Sequence, residues 1–174
     1  MMASVAPEID PAIEVIGGVE LEAAYRAQYR SLVRLASLLV DDVGTCVEIV
    51  QDAFVRVWRH GPVLRDAARL PAYLRSAVLN GARSHLRRSL VARRHLRVVT
   101  DAGCMPHDGE RPDDGVLAAL RALPVRQREV LALRYYLDLS EAEIASTLGI
   151  STGSVKTHAH RGLATLADRL EDLR

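Results

Sequence analysis

Apolar residues recur every three or four positions along most of the chain, which is the spacing of amphipathic helices. The first such run covers about 19–40 and is followed by a short acidic break at 41–44. The second run covers about 45–60, where Thr45 and Glu48 have the spacing of a capping box. The pattern therefore predicts two consecutive helices joined by a tight turn.

A third helical run begins near Pro71 and extends to about Arg97. Proline suits the first turn of a helix, because the N–H that it lacks would have no partner there. The next segment, 98–114, contains Gly, Pro and Asp without an apolar period, which is typical of an interdomain linker.

The remainder of the chain predicts four shorter helices. Pro124 separates the first two, and Ser140 with Glu143 forms a second predicted capping box. Gly149 is expected to end that helix, and Ser151 to cap the last one. The chain is thus predicted to be all-α, with two small helical domains joined by a flexible linker. The predicted segments are a mobile N-terminal tail (1–18), a first domain (19–97), the linker (98–114) and a second domain (115–174).

The spacing of Ala145, Gly149 and Val155 is that of a helix-turn-helix. A small residue lets two helices cross closely, glycine accepts the positive φ of the turn, and a β-branched residue packs the second helix on the first. The second helix of this motif enters the major groove of DNA. The polar residues predicted to contact DNA are Ser151, Thr152, Lys156, Thr157, His160 and Arg161. The alternative is a helical hairpin with an incidental polar face.

Charge is distributed unevenly along the chain, although the net formal charge is only +1. Residues 1–55 contain nine acidic residues and three arginines, whereas residues 56–97 contain eleven arginines and one acidic residue. Because these arginines alternate with apolar residues at helical spacing, we expect an ordered basic face that binds a polyanion. A merely solvated face is the alternative.

Nothing in the sequence predicts a catalytic or metal site. Cys46 and Cys104 lack metal-ligand spacing and are expected to be free thiols, and His158 and His160 point to different faces of one helix. A DNA recombinase with Ser84 as nucleophile is an alternative for which no general base is identifiable. Neither a membrane-spanning run nor a secretory signal is predicted. We expect a cytoplasmic protein that is not an enzyme and has no cofactor and no metal ion.

Four stretches give the chain a family resemblance: VQDAFVRVWRH (50–60), PAYLRSAVLNGARSHLRR (71–88), LPVRQREVLALRYYLDLSEAEIASTLGIS (123–151) and GSVKTHAHRGLATL (153–166). In this order and spacing they resemble the extracytoplasmic-function (ECF) RNA polymerase sigma factors of the sigma-70 family, over about 19–173. The arginine-rich composition is similar to that of actinobacterial, SigE-like members. The resemblance implies an alternative sigma factor whose two domains, region 2 and region 4, recognise the −10 and −35 promoter elements.

The resemblance also implies roles for particular residues. The second helix would dock on the clamp helices of the polymerase β′ subunit through Gln51, Asp52, Arg56 and Arg59. The third helix and the loop at 60–70 would melt the −10 element and capture a flipped base, with Asn80, Arg83, Arg87 and Arg88 at the motif positions. Region 4 would recognise the −35 duplex through Lys156, Thr157, His160 and Arg161. The implied partners are core RNA polymerase (β′ clamp helices and β flap), promoter DNA and an anti-sigma factor.

In the free protein we expect two loosely tethered domains, with the acidic residues of the linker as one means of screening the basic helix. The chain departs from the family pattern at three places: Val47-Glu48 replaces an acidic pair, Ser84 an aspartate, and Thr157-His158 a Ser-Arg pair. A LuxR-type helix-turn-helix regulator is the alternative class, because residues 155–158 are similar to that group too. It would need a receiver or ligand-binding domain, and the first half shows no alternation of strands and helices.

Overall fold

The computed structural model describes residues 18–60, 67–96 and 114–171, and these ranges contain seven α-helices and no strand. The all-α prediction is confirmed. The helices are α1 (Gly18–Ser37), α2 (Val43–His60), α3 (Leu70–Leu96), α4 (Asp114–Arg121), α5 (Val125–Leu131), α6 (Glu141–Leu148) and α7 (Thr152–Glu171). A 3₁₀ turn, Ala67–Arg69, leads into α3, and a π turn, Ala132–Tyr136, continues α5.

Helices α1, α2 and α3 pack together as the N-terminal bundle. Its centre is made of aliphatic side chains that are almost completely buried, among them Leu35, Val50, Leu74 and Val78. Removal of such a leucine costs about 2–5 kcal/mol, because the cavity left behind is only partly refilled. These positions recur at the predicted spacing of three to four residues, which identifies the buried faces here. The same spacing predicts a buried Leu90 towards the end of α3, and this is wrong, because Leu90 is 64% exposed.

The N-terminus of α2 differs from the prediction. The Thr45 backbone N–H donates to Asp42 Oδ2 at 2.6 Å, so Asp42 caps the helix and Thr45 lies inside its first turn. The bond from Thr45 keeps the pKa of the Asp42 carboxyl below its ordinary value. The predicted capping box between Thr45 and Glu48 is therefore wrong.

Helices α4 to α7 form the C-terminal bundle, in which α7 packs on α4, α5 and α6. The predicted second capping box is confirmed: the Glu143 N–H donates to Ser140 Oγ at 3.3 Å, and the Ser140 N–H donates to Glu143 Oε2 at 2.9 Å. Gly149 ends α6 with φ of 65°, the left-handed conformation that glycine adopts without strain. Ser151 Oγ then accepts from the Ser154 N–H at 3.1 Å and caps α7.

The two bundles are in direct contact. Arg121 of α4 donates to Ser37 O at 2.6 Å and to Val40 O at 3.3 Å, and Arg128 of α5 donates to Leu39 O at 2.7 Å. Carbonyl groups at the end of a helix lack partners within the helix, and these arginines bind the last one of α1, at Ser37, and two in the turn that follows it. This close packing differs from the expectation of two loosely tethered domains. The sequence does not indicate it, because the hydrogen-bonded residues lie more than 80 positions apart along the chain.

The predicted tail at 1–18 and linker at 98–114 lie outside the described residues, apart from Gly18 and Asp114, which begin α1 and α4. Most of the loop assigned to the captured base also lies outside them, since residues 61–66 are not described. Cys46 is a buried free thiol whose Sγ lies 3.6 Å from Val40 O, and burial raises its pKa. Cys104 lies outside the described residues.

Candidate nucleic-acid interface

The helix-turn-helix consists of α6, the turn at Gly149 and α7. Ala145 and Val155 are buried between the two helices, as their spacing predicts. On the opposite side of α7, the side chains of Lys156, Thr157, His160 and Arg161 are all exposed. The arrangement leaves a polar face of about two turns, the size that a recognition helix presents to the major groove.

Local contacts hold part of this polar face in place. Lys156 Nζ lies 3.6 Å from Glu141 Oε2, and Thr157 Oγ1 donates to Gly153 O at 3.0 Å. The Lys156 side chain is 69% exposed, so this ion pair is weak and the lysine remains available to a phosphate or a base. Ser151 and Thr152 are both exposed at the start of α7, but the Ser151 hydroxyl is already engaged in capping, so Thr152 supplies the less committed hydroxyl.

The basic face of α3 contains all four residues assigned to the −10 element. The Asn80, Arg87 and Arg88 side chains are exposed, whereas Arg83 is about 24% exposed. The difference arises from α5: Arg83 Nε lies 2.5 Å from Glu129 Oε1, and Arg83 Nη2 donates to Glu129 Oε2 at 3.0 Å. An ion pair between the bundles thus engages Arg83, whose Nη1 also donates to Asn80 Oδ1 at 2.9 Å.

Glu129 and Arg128 are the buried charged residues of the described chain that sequence reasoning missed. Glu129 is 1% exposed and is bound by Arg83 and, at 3.3 Å, by Arg126 Nη1. Arg128 donates to Leu39 O and Leu123 O, and burial lowers its pKa. A polar residue on an amphipathic helix usually faces solvent, so nothing local distinguishes these two residues from ordinary surface charges.

The outward face of α2 carries the four residues assigned to polymerase docking, Gln51, Asp52, Arg56 and Arg59, and all are exposed. Trp58 stands among them with about 68% of its surface exposed, and Val55 with 44%. Large aromatic side chains left in water are typical of protein–protein contact sites. The sequence does indicate that this tryptophan is exposed, because Trp58 falls outside the apolar stripe of α2 that contains Val50 and Val57.

A shallow groove between α2 and α3 joins the two candidate surfaces. Asp52 and Arg56 line it from α2, and Ser84 and Arg88 line it from α3. Residues predicted to dock on polymerase and residues predicted to bind the −10 element therefore lie close together along one edge of the N-terminal bundle.

Other candidate chemistry is not assembled in the described ranges. No group of three His, Cys, Asp or Glu residues in 18–60, 67–96 and 114–171 is placed to hold a metal ion. Among the helices of these same ranges, none combines the length and the apolar composition that a membrane-spanning segment needs. His158 is partly buried and His160 exposed, as expected for residues on different faces of α7.

Comparison with known proteins agrees with this geometry. Residues 24–90 match the family model for sigma-70 region 2, and residues 114–166 match that for sigma-70 region 4. The chain is 30% identical to the RNA polymerase sigma-E factor of Streptomyces avermitilis over 154 residues, 88% of this chain and 86% of the relative. It is also 30% identical over 166 residues to the ECF RNA polymerase sigma factor SigL of Mycobacterium tuberculosis H37Rv, covering 88% and 90% of the two chains.

Solved structures show the same fold. The sigma factor RpoE in complex with the anti-sigma factor NepR from Bartonella quintana matches with a TM-score of 0.73 at 20% identity, covering 89% of this chain and 99% of that one. CnrH in complex with the cytosolic domain of CnrY matches with a TM-score of 0.65 at 25% identity, covering 87% and 88%. The chain therefore belongs to the sigma-70 family of RNA polymerase sigma factors, within the ECF group. This membership favours a sigma factor over the LuxR-type regulator.

Proposed function

We propose that the chain binds core RNA polymerase in the cytoplasm and directs initiation at promoters with defined −10 and −35 elements. The observation that carries this proposal is the exposed polar face of α7 in a chain that also matches region 2. A recognition helix alone suits many regulators, whereas its combination with a basic α3 and a docking face on α2 suits a sigma factor. Polymerisation chemistry belongs to the polymerase, and the chain itself catalyses nothing.

Each surface has its own role in this proposal. Region 2 (19–97) docks on the β′ clamp helices through Gln51, Asp52, Arg56 and Arg59, and Trp58 adds an apolar contact. Its α3 binds the melted −10 strand through Asn80, Arg83, Arg87 and Arg88, because arginines hold a single-stranded backbone. Region 4 (115–174) contacts the β flap and binds the −35 duplex through Ser151, Thr152, Lys156, Thr157, His160 and Arg161. The linker (98–114) sets the distance between the two regions.

An anti-sigma factor is the remaining proposed partner. CnrH is described in complex with the cytosolic domain of CnrY, and RpoE in complex with the anti-sigma factor NepR. We assign this chain a partner of the same class, which would keep it from polymerase until a signal releases it.

Run-off transcription with purified core polymerase over a genomic promoter library tests the proposal. The expected result is initiation at a defined set of sites that share −10 and −35 sequences. Pull-down of core polymerase without DNA is the second measurement, since a sigma factor binds polymerase alone and a LuxR-type regulator does not. Absence of both polymerase binding and specific initiation would overturn the proposal.

A further inference from the structure

Arg83, assigned above to the −10 element, is already engaged by a residue of the other bundle. Its Nε and Nη2 atoms donate to the two carboxylate oxygens of Glu129 at 2.5 and 3.0 Å, and its Nη1 donates to Asn80 Oδ1 at 2.9 Å. Two parallel N–H···O bonds are also how arginine binds a phosphate or the edge of a guanine. Glu129 therefore occupies the Arg83 N–H groups through which this arginine would bind DNA.

The burial of Glu129 depends on contact between the bundles. Arg83 on α3 contacts it from one side, and Arg126, which is 42% exposed on its own helix, from the other. A buried carboxylate is tolerated only when it is paired. If the bundles separate, water reaches Glu129 and Arg126 remains beside it, so the carboxylate is compensated in both arrangements. A contact that switches between a closed and an open arrangement requires that both be accessible in free energy, and this compensation of Glu129 meets that requirement.

Two arginines of the C-terminal bundle fix the closed arrangement. Arg121 donates to the carbonyl of Ser37, the last residue of α1, and Arg128 donates to the carbonyl of Leu39 just beyond that helix. Arg121 Nε also lies 3.1 Å from Asp41 Oδ1. Arg128 also makes the closed arrangement less favourable in free energy, because its guanidinium is buried and its Nε has no hydrogen-bond partner. Opening removes that cost, so closure depends on a few directional bonds that can be broken reversibly.

Closure leaves the docking face of α2 accessible. Asp52, Arg56 and Trp58 are exposed while Arg83 is occupied. We propose that Glu129 is an intramolecular competitor for DNA at Arg83, so that the free chain is closed and self-inhibited until core polymerase separates its two bundles. This inference rests on the proposed function, because Glu129 competes with DNA only if Arg83 binds it. A carboxylate of the C-terminal bundle then does the screening that the sequence assigns to the linker.

Glu129→Gln tests the competition, because it removes the charge and keeps the shape. The probe is a fluorescent single-stranded DNA of about 12 nucleotides and mixed sequence, bound by the free full-length chain and followed by anisotropy. We expect the variant to bind roughly tenfold more tightly than wild type, a typical coupling between sites. Glu171→Gln, on the exposed last turn of α7, removes the same charge outside the contact and should bind like wild type. Equal binding by wild type and Glu129→Gln would overturn the proposal.

Small-angle X-ray scattering tests the closure independently of DNA. Glu129→Gln and Arg121→Ala should each increase the radius of gyration, with helical circular dichroism unchanged. Arg83→Glu alone should also open the chain, because it places a second carboxylate against the buried Glu129. Wild-type compactness in all the single variants would refute a closed state held by these contacts.

Run-off transcription separates this inference from the proposed function. If wild type directs core polymerase to defined sites while Glu129→Gln neither opens nor binds single-stranded DNA more tightly, self-inhibition is wrong and the sigma-factor role stands. If wild type directs no initiation, the proposed function fails, and the competitor role of Glu129 fails with it.

Discussion

Gly81 of α3 lies so close to Ile49 of α2 that a Cβ added at Gly81 would come within 2.7 Å of Ile49 Cγ2. Side-chain carbon atoms in proteins do not approach so closely, so this contact requires glycine. It determines how near α2 and α3 lie, and therefore how the proposed docking residues on α2 are placed relative to the proposed −10 residues on α3. A single missing methyl group thus underlies the geometry of the N-terminal bundle.

Gly81→Ala should therefore destabilise the protein despite the better helix propensity of alanine. Propensity favours alanine by about 1 kcal/mol, but overpacking a core typically costs about 1–3 kcal/mol. We expect a net loss in the free energy of unfolding, measured by urea denaturation. The matched control is Gly153→Ala in α7, where the nearest atom to the new Cβ is Ser151 Oγ at 3.8 Å. A Gly81→Ala variant as stable as that control would contradict the close packing.

The capping box of α6 makes a pH-dependent contribution to stability. Hydrogen bonds from the Ser140 hydroxyl and N–H keep the pKa of Glu143 below its ordinary value of 4.5. A carboxyl whose pKa is lower in the folded state stabilises the protein above its unfolded pKa, and this contribution is lost as pH falls through the folded pKa. Wild type should therefore have a higher Tm than Glu143→Gln at pH 7, and the difference should shrink below pH 4.5.

Thermal unfolding monitored by circular dichroism between pH 3 and pH 7 measures this difference. Glu171→Gln removes the same charge from the exposed end of α7, away from the Ser140–Glu143 cap, so it should not reproduce the effect. A difference between wild type and Glu143→Gln that stays constant over the whole range would show that the cap does not depend on the carboxylate charge.

Local signals in the sequence account for much of the fold. Ser140, Glu143 and Gly149 perform their predicted tasks because caps and turns are decided within a few residues of the chain. The exposed face of α7 is also predictable, since the stripe from Val155 to Ala159 determines which side is buried. The cap of α2 was misplaced because Asp42 and Thr45 both have capping side chains, and local sequence alone does not rank them.

The contact between the bundles could not be predicted in the same way. Arg83 and Glu129 are 46 residues apart, and Arg128 bonds to the carbonyl of Leu39, 89 residues away. Each of these charged residues has the sequence pattern of a solvated helix position, and only the packing of the two bundles buries them. The π turn at Ala132–Tyr136 is similar, because it brings the Tyr136 hydroxyl to 3.3 Å from Ser31 O without any local signature.

Trp58→Ala should weaken binding to core polymerase by about tenfold or more, because exposed tryptophans are frequent energetic anchors of interfaces. Folding stability should change little, since about 68% of the side chain is already in water. The dissociation constant of each variant is measured by its binding to core polymerase immobilised on a sensor surface. Val43→Ala is the control, with an apolar side chain on the same helix that is 67% exposed. Equal losses in the two variants would show that Trp58 has no special role in docking.

Asn80→Ala should impair promoter opening and leave duplex binding intact. Asn80 is exposed on α3, far along the chain from the helix-turn-helix, so its loss should not affect the −35 contact. Permanganate reactivity of unpaired thymines near the start site reports opening in the polymerase complex. A template with a preformed bubble is the control and should restore initiation. If initiation by the variant stays low on that template, the defect lies elsewhere than in opening.

Arg161→Ala should weaken binding to −35 duplex DNA by about 1–3 kcal/mol, because a single arginine that contacts a base edge is worth that much. Arg161 is exposed on the polar face of α7, opposite the buried Val155 and Ala159, so its truncation leaves the packing of the helix-turn-helix unchanged. The comparison is Arg169→Ala, an exposed arginine near the end of the same helix. Both variants lose one positive charge, so a purely electrostatic contribution would weaken them alike and would flatten their salt dependence equally. Specific recognition requires that Arg161→Ala alone also relax the preference for the −35 sequence, measured by competition between promoter duplexes that differ in that element.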